Sequence, residues 1–184
     1  MEYIVFRTMR MIEREISLYR DLYACLCNQQ QLIIRRDILD LLMVMVEQKE
    51  LTSEIRLVEN DIMEELKEMA IFLAIDLPAN KELSINEVVT SLQENYKELA
   101  EMIKTRCWVL TILVKKANAQ NEQNMDALRD CLALWKNDPS ILDFWQEIGD
   151  ANAYERVDEL LAFHSSSLKN ELIKENECPF YTTA

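Results

Sequence analysis

The side chains able to do covalent or metal chemistry are few, and their spacing does not assemble a site. Five cysteines, Cys25, Cys27, Cys107, Cys131 and Cys178, accompany a single imidazole, His164. A zinc site needs four Cys or His ligands that converge, and Cys25 and Cys27 lie two residues apart, on opposite sides of a helix. A nucleophilic triad needs a histidine beside a serine or cysteine on a sharp turn. His164 stands next to Ser165, Ser166 and Ser167 in a helical repeat with no glycine to build that turn. Phosphate-cradling loops need several glycines, and Gly149 is the only one. The Glu-x-x-His pairs of a di-iron bundle are missing. Glu64, Glu65 and Glu68 read as solvated charge on a helix exterior, because acid–base work needs environments that drive two pKa values apart. The expectation is therefore a protein that is not an enzyme, with no catalytic residue, no metal and no cofactor.

The charge balance narrows the partners. Twenty Lys and Arg against 33 Asp and Glu give a formal charge of −13, which repels nucleic acid phosphates unless a basic stripe is set apart. The basic pairs Arg35-Arg36 and Lys115-Lys116 read as solvated helix face. The densest apolar stretch, Ile38 to Val46, is too short to span a bilayer, and Glu2, Arg7, Arg10 and Glu13 interrupt the apolar N-terminus where a signal peptide has an unbroken core. These features predict a cytoplasmic protein that does not bind nucleic acid and does not insert into a membrane, its cysteines held as buried or half-buried thiols.

The elements that carry these residues are helices. With one Gly and three Pro in 184 residues, and with Leu, Glu, Met, Gln and Lys at helical spacing, the sequence predicts an all-α fold. Ile12, Ile16, Tyr19, Tyr23, Leu26, Gln30 and Ile33 alternate by four and three, the a/d pattern of a coiled coil. The seam slips near residues 34–37, which leaves a stutter or a turn open, and resumes as Leu41, Met45, Gln48, Thr52, Ile55, Glu59, Ile62, Leu66, Met69 and Leu73. Pro78 breaks the chain. Ser84 and Glu87 then fit a capping box, opening a helix with Leu92, Tyr96, Leu99, Ile103, Arg106, Leu110, Leu113, Ala117, Gln120 and Asn124 on its seam.

The predicted architecture is an elongated antiparallel hairpin or bundle of long coiled-coil-like helices with a short C-terminal helical appendage. Residues 1–138 form the bundle, with helices at about 3–34, 37–76 and 84–137, the second and third antiparallel neighbours. Residues 139–175 form an amphipathic C-terminal segment, and 176–184 a tail. Polar seam residues, Gln48, Thr52 and Asn124 among them, either fix register or mark wet positions at the ends of the bundle. Trp135, Ile141, Leu142, Phe144, Trp145 and Ile148 cluster around Pro139. They either close the bundle or form an apolar patch that binds a partner.

Several runs, in their order and spacing, resemble the FlgN family of flagellar export chaperones. These are a heptad helix ending near Asn28-Gln-Gln-Gln-Leu32, then Arg36-Asp37 where the family has a Gly-Asp-like turn, then a Glu-rich helix from Glu47 to Glu65. The third helix continues the likeness through Ala117-Asn-Ala-Gln-Asn121-Glu-Gln-Asn124-Met-Asp-Ala-Leu128. The resemblance covers residues 9–135; the turn glycine is absent, and the family's C-terminal tail has no counterpart. It implies a small bacterial chaperone that holds the terminal helices of hook–filament junction proteins unpolymerised and delivers them to the type III export gate. A self-associating coiled-coil scaffold, a homo-oligomer built on the same seams, is the alternative.

Overall fold

The structure, a computed structural model, describes residues 1–75 and 83–135. Those residues form four helices: α1 Glu2–Arg35, α2 Ile38–Phe72, α3 Ile85–Asn95 and α4 Lys97–Trp135. There is no strand among them, as the near absence of Gly and Pro and the helical periodicity require. The residues of the C-terminal appendage and tail, 139–184, lie outside the described set.

α1 is the shared partner. It packs along α2 on one side and along α4 on the other, while α3 packs mainly on α4. Side-chain pairs fix the directions. Arg7 meets Glu65 and Glu68, Arg14 meets Glu54, and Gln29 meets Gln48, so α1 and α2 run antiparallel. Arg106 meets Glu13 and Asn124 meets Leu26 and Gln29, so α4 runs parallel to α1. α2 and α4 are thus antiparallel to each other, but α1, rather than their own mutual seam, holds them together. The cause is the breadth of the α1 face. Leu18, Leu22, Cys25 and Gln29 are buried as well as the predicted Ile12, Ile16, Tyr19, Leu26 and Ile33, and so wide a stripe serves two neighbours.

The slip at residues 34–37 is a turn. Arg36 adopts φ 59° and ψ 33°, the left-handed conformation. Its N–H donates to the Ile33 carbonyl and the Asp37 N–H to the Leu32 carbonyl, the paired bonds of a Schellman ending. Asp37 then caps α2 by accepting from the Asp40 N–H at 3.3 Å. α2 ends earlier than residue 76. Ala74 takes the same left-handed conformation, φ 53°, and the Ala74 and Ile75 N–H groups donate to the Ile71 and Ala70 carbonyls.

The predicted capping box is present. Ser84 Oγ accepts from the Glu87 N–H at 3.3 Å and Glu87 Oε2 from the Ser84 N–H at 3.2 Å. The single helix expected from 84 to 137 is broken at Tyr96, where φ −139° and ψ 53° leave the helical region. Tyr96 closes one helix and opens the next: its N–H donates to Leu92 and its carbonyl accepts from Ala100. The bend lets Gln93 Nε2 reach Glu101 Oε1 at 3.1 Å, although eight residues of straight helix would separate them by about 12 Å along the axis. It also brings Ile85, Val88, Val89 and Leu92 of α3 into one core with Val5, Ile12, Ile62, Leu66 and Ile103.

Candidate protein-binding surface

A layer of amides crosses the interior where α1, α2 and α4 meet. Gln29 Oε1 accepts from Gln48 Nε2 at 3.3 Å and from Asn124 Nδ2 at 2.8 Å. Asn124 Nδ2 also donates to the Leu26 carbonyl at 2.7 Å, and its Oδ1 accepts from Gln120 at 3.0 Å. Gln29, Gln48 and Asn124 are each fully buried. One oxygen therefore ties three helices together, and only one axial register satisfies it. This favours the register-fixing role of a polar seam over wet bundle ends. The seam prediction named Gln30, which is half-buried; its neighbour Gln29 makes the layer. Asn118 and Asn121, absent from the predicted seam, are buried as well.

Higher in the bundle lies Glu15, 1% exposed, with no hydrogen-bond partner on either carboxylate oxygen. Burial first, and then the charge of Glu59 on α2, push its carboxyl well above the usual carboxylate range. Cys107 on α4 is affected in turn: burial, with Glu15 adding to it, pushes the thiol up to about 12. Burial and a hydrogen bond with Glu47 push Cys25 up to about 12. Thiols held so firmly protonated are poor nucleophiles at neutral pH. Cys25, Cys27, Cys107 and Cys131 are free, and no group of three or more Cys, His, Asp or Glu among the described residues could hold a metal.

Glu65 departs from its predicted role as solvated charge. It is buried and accepts from Arg7 Nε at 2.6 Å, while Arg7 also reaches Glu68 and lies over the Tyr3 ring, 5.6 Å from its centroid. The predicted neighbours Glu64 and Glu68 are exposed. Arg35, Arg36, Lys115 and Lys116 are exposed as expected.

The outer surface carries large apolar residues. Tyr3 and Phe6 on α1, Met43, Val46, Leu57, Ile71 and Phe72 on α2, and Met102 and Trp108 on α4 are all exposed. Of the predicted partner-binding residues, Trp135 closes α4 but its side chain lies outside the described set. Ile141, Leu142, Phe144, Trp145 and Ile148 lie wholly outside it, as does His164. Heptad spacing does not mark the surface on α2, because a single seam per helix hides a second apolar face. Its signal was present in the apolar residues distributed all round α2. No helix among the described residues is long and apolar enough to cross a membrane. Comparison with protein-family models, curated proteins and solved structures finds no match to this chain.

Proposed function

We propose that the chain is a bacterial cytoplasmic export chaperone of the FlgN type, which holds the assembly-prone terminal helices of hook–filament junction proteins for delivery to a type III export gate. The observation that carries this is an acidic bundle of long helices with large apolar side chains left exposed along them. Such a surface shields the apolar face of a guest helix while its charge keeps the pair in solution. The resemblance in α1, its turn, α2 and α4 supplies the client class, and its Asn124 belongs to the layer that holds α4 on α1.

Size-exclusion chromatography with light scattering, on the chain alone and with a peptide from the C-terminus of a junction protein, tests the proposal. A monomer that takes up one peptide is expected. If Phe144, Trp145 and Ile148 contact the client, replacing them by Ser abolishes uptake with helicity retained, whereas loss of helicity would assign them to the core. A stable homo-oligomer indifferent to the peptide sinks the chaperone and favours the scaffold.

A further inference from the structure

One line of α2 repeats with the heptad on the side away from α1. Met43, Glu50, Leu57, Glu64 and Ile71 follow at intervals of seven residues, so they share one face with a small drift per repeat. Met43, Leu57 and Ile71 are 70%, 65% and 80% exposed, and Glu50 and Glu64 are exposed between them. Val46 and Phe72, also exposed, flank the line. The opposite face, Ile55, Val58, Ile62, Leu66 and Met69, is buried in the core. A helix apolar on two sides is built to lie between two neighbours, and α1 supplies one of them. Glu54, Glu65 and Glu68 of α2 pair with arginines of α1 and Glu47 with Cys25, while Glu50 and Glu64 lie in the outward line.

We propose that this line docks a basic amphipathic helix of another protein, with apolar residues against Met43, Leu57 and Ile71 and Lys or Arg against Glu50 and Glu64. The contact would run about 42 Å at 1.5 Å per residue. Charge selects this occupant over the others: the exposed charged side chains of α2 are seven acids against three bases, Lys49, Arg56 and Lys67. A second copy docked antiparallel through Leu57 sets Glu50 against Glu64, and docked parallel in register it sets each glutamate against itself; like charges at such positions repel. The chain's own residues 139–175 carry eight acidic and three basic side chains, the wrong sign for the same line. The proposal rests on the helix-holding function and names a surface and a partner chemistry for it.

The test is titration calorimetry of the full chain, at physiological salt, with a synthetic helix carrying Leu and Lys alternately at successive heptad positions. Binding is expected, and the same peptide with Glu for Lys should not bind. The double change Glu50→Lys and Glu64→Lys weakens binding by more than about tenfold and transfers preference to the Glu peptide. Met43→Ser with Leu57→Ser also weakens it, with an unchanged melting profile because both residues are exposed. A control double change on α3 and α4, Glu94→Lys with Glu122→Lys, alters net charge equally and should leave binding within a factor of about two. Equal loss in the control would reduce the effect to general attraction by an acidic protein and overturn the proposal. A junction-protein peptide still bound by the Glu50→Lys, Glu64→Lys chain would overturn this surface and leave the chaperone function standing.

Discussion

Glu15 lies beside Ile16 on α1, and a pattern of a and d positions gives no sign that it is inside. It becomes buried because α1 serves two neighbours, which extends the interior beyond the single seam that heptad spacing marks. The same geometry explains why Gln29 and not Gln30 forms the amide layer, and why Thr8, 0% exposed, satisfies itself by donating to the Ile4 carbonyl. Glu15 has a consequence for stability. Its carboxyl titrates higher in the folded chain than in the unfolded one, so the native state keeps a proton that the unfolded chain releases. Its contribution is full below the ordinary carboxylate value and is lost as pH rises through the raised one. Glu15→Gln removes the buried charge that ionisation would demand. In urea melts from pH 5 to pH 8 the variant should gain on the parent progressively, reaching about 1–3 kcal/mol. Parallel stability curves for the two proteins would rule out a buried, proton-holding Glu15.

Helix types and approximate ends were legible; the manner of ending was not. Ser84 and Glu87 carry a side-chain signature, and the capping box they form matches it. The turns at Arg36 and Ala74 carry none, because both adopt a left-handed conformation that normally calls for glycine. Nor does Tyr96 interrupt the four-and-three alternation, since breaking the backbone there keeps Leu92 and Ile103 facing one core. At the two left-handed positions a Cβ crowds the following carbonyl, at about 1–2 kcal/mol each. Glycine relieves that strain but loses more entropy on folding. Arg36→Gly and Ala74→Gly should each stabilise the bundle by a net 0.5–1 kcal/mol or so, read as a higher denaturant midpoint at constant slope. A lower midpoint in either variant would mean that the wild-type side chain contributes contacts outweighing the strain.

Across the whole molecule the amide layer divides the interior. On one side lies the larger core, from Val5 to Leu26 of α1, Ile55 to Ala70 of α2, α3 and the first half of α4. On the other is a small cluster of Leu32, Ile33, Leu41, Val44, Met45 and Leu128 around the Arg36 turn, with Cys25 joining it from beside the layer. Less apolar area removed from water means a lower free energy of local opening. The small end should therefore open on its own, with Gln29, Gln48 and Asn124 as the boundary. Hydrogen exchange measured along α1 provides the comparison, because one helix runs through both parts. Amides of Leu32 and Ile33 should exchange at least about tenfold faster than those of Ile16 and Leu22, and amides of Val44 and Met45 faster than those of Ile62 and Leu66. Gln29→Leu sharpens the test. It leaves the Gln48 and Asn124 amides short of a shared acceptor, at about 1–3 kcal/mol, and should raise exchange on the small-cluster side more than in the larger core. Equal protection along α1 in the parent chain, or a uniform loss in the variant, would show one cooperative unit and remove the layer's role as a boundary.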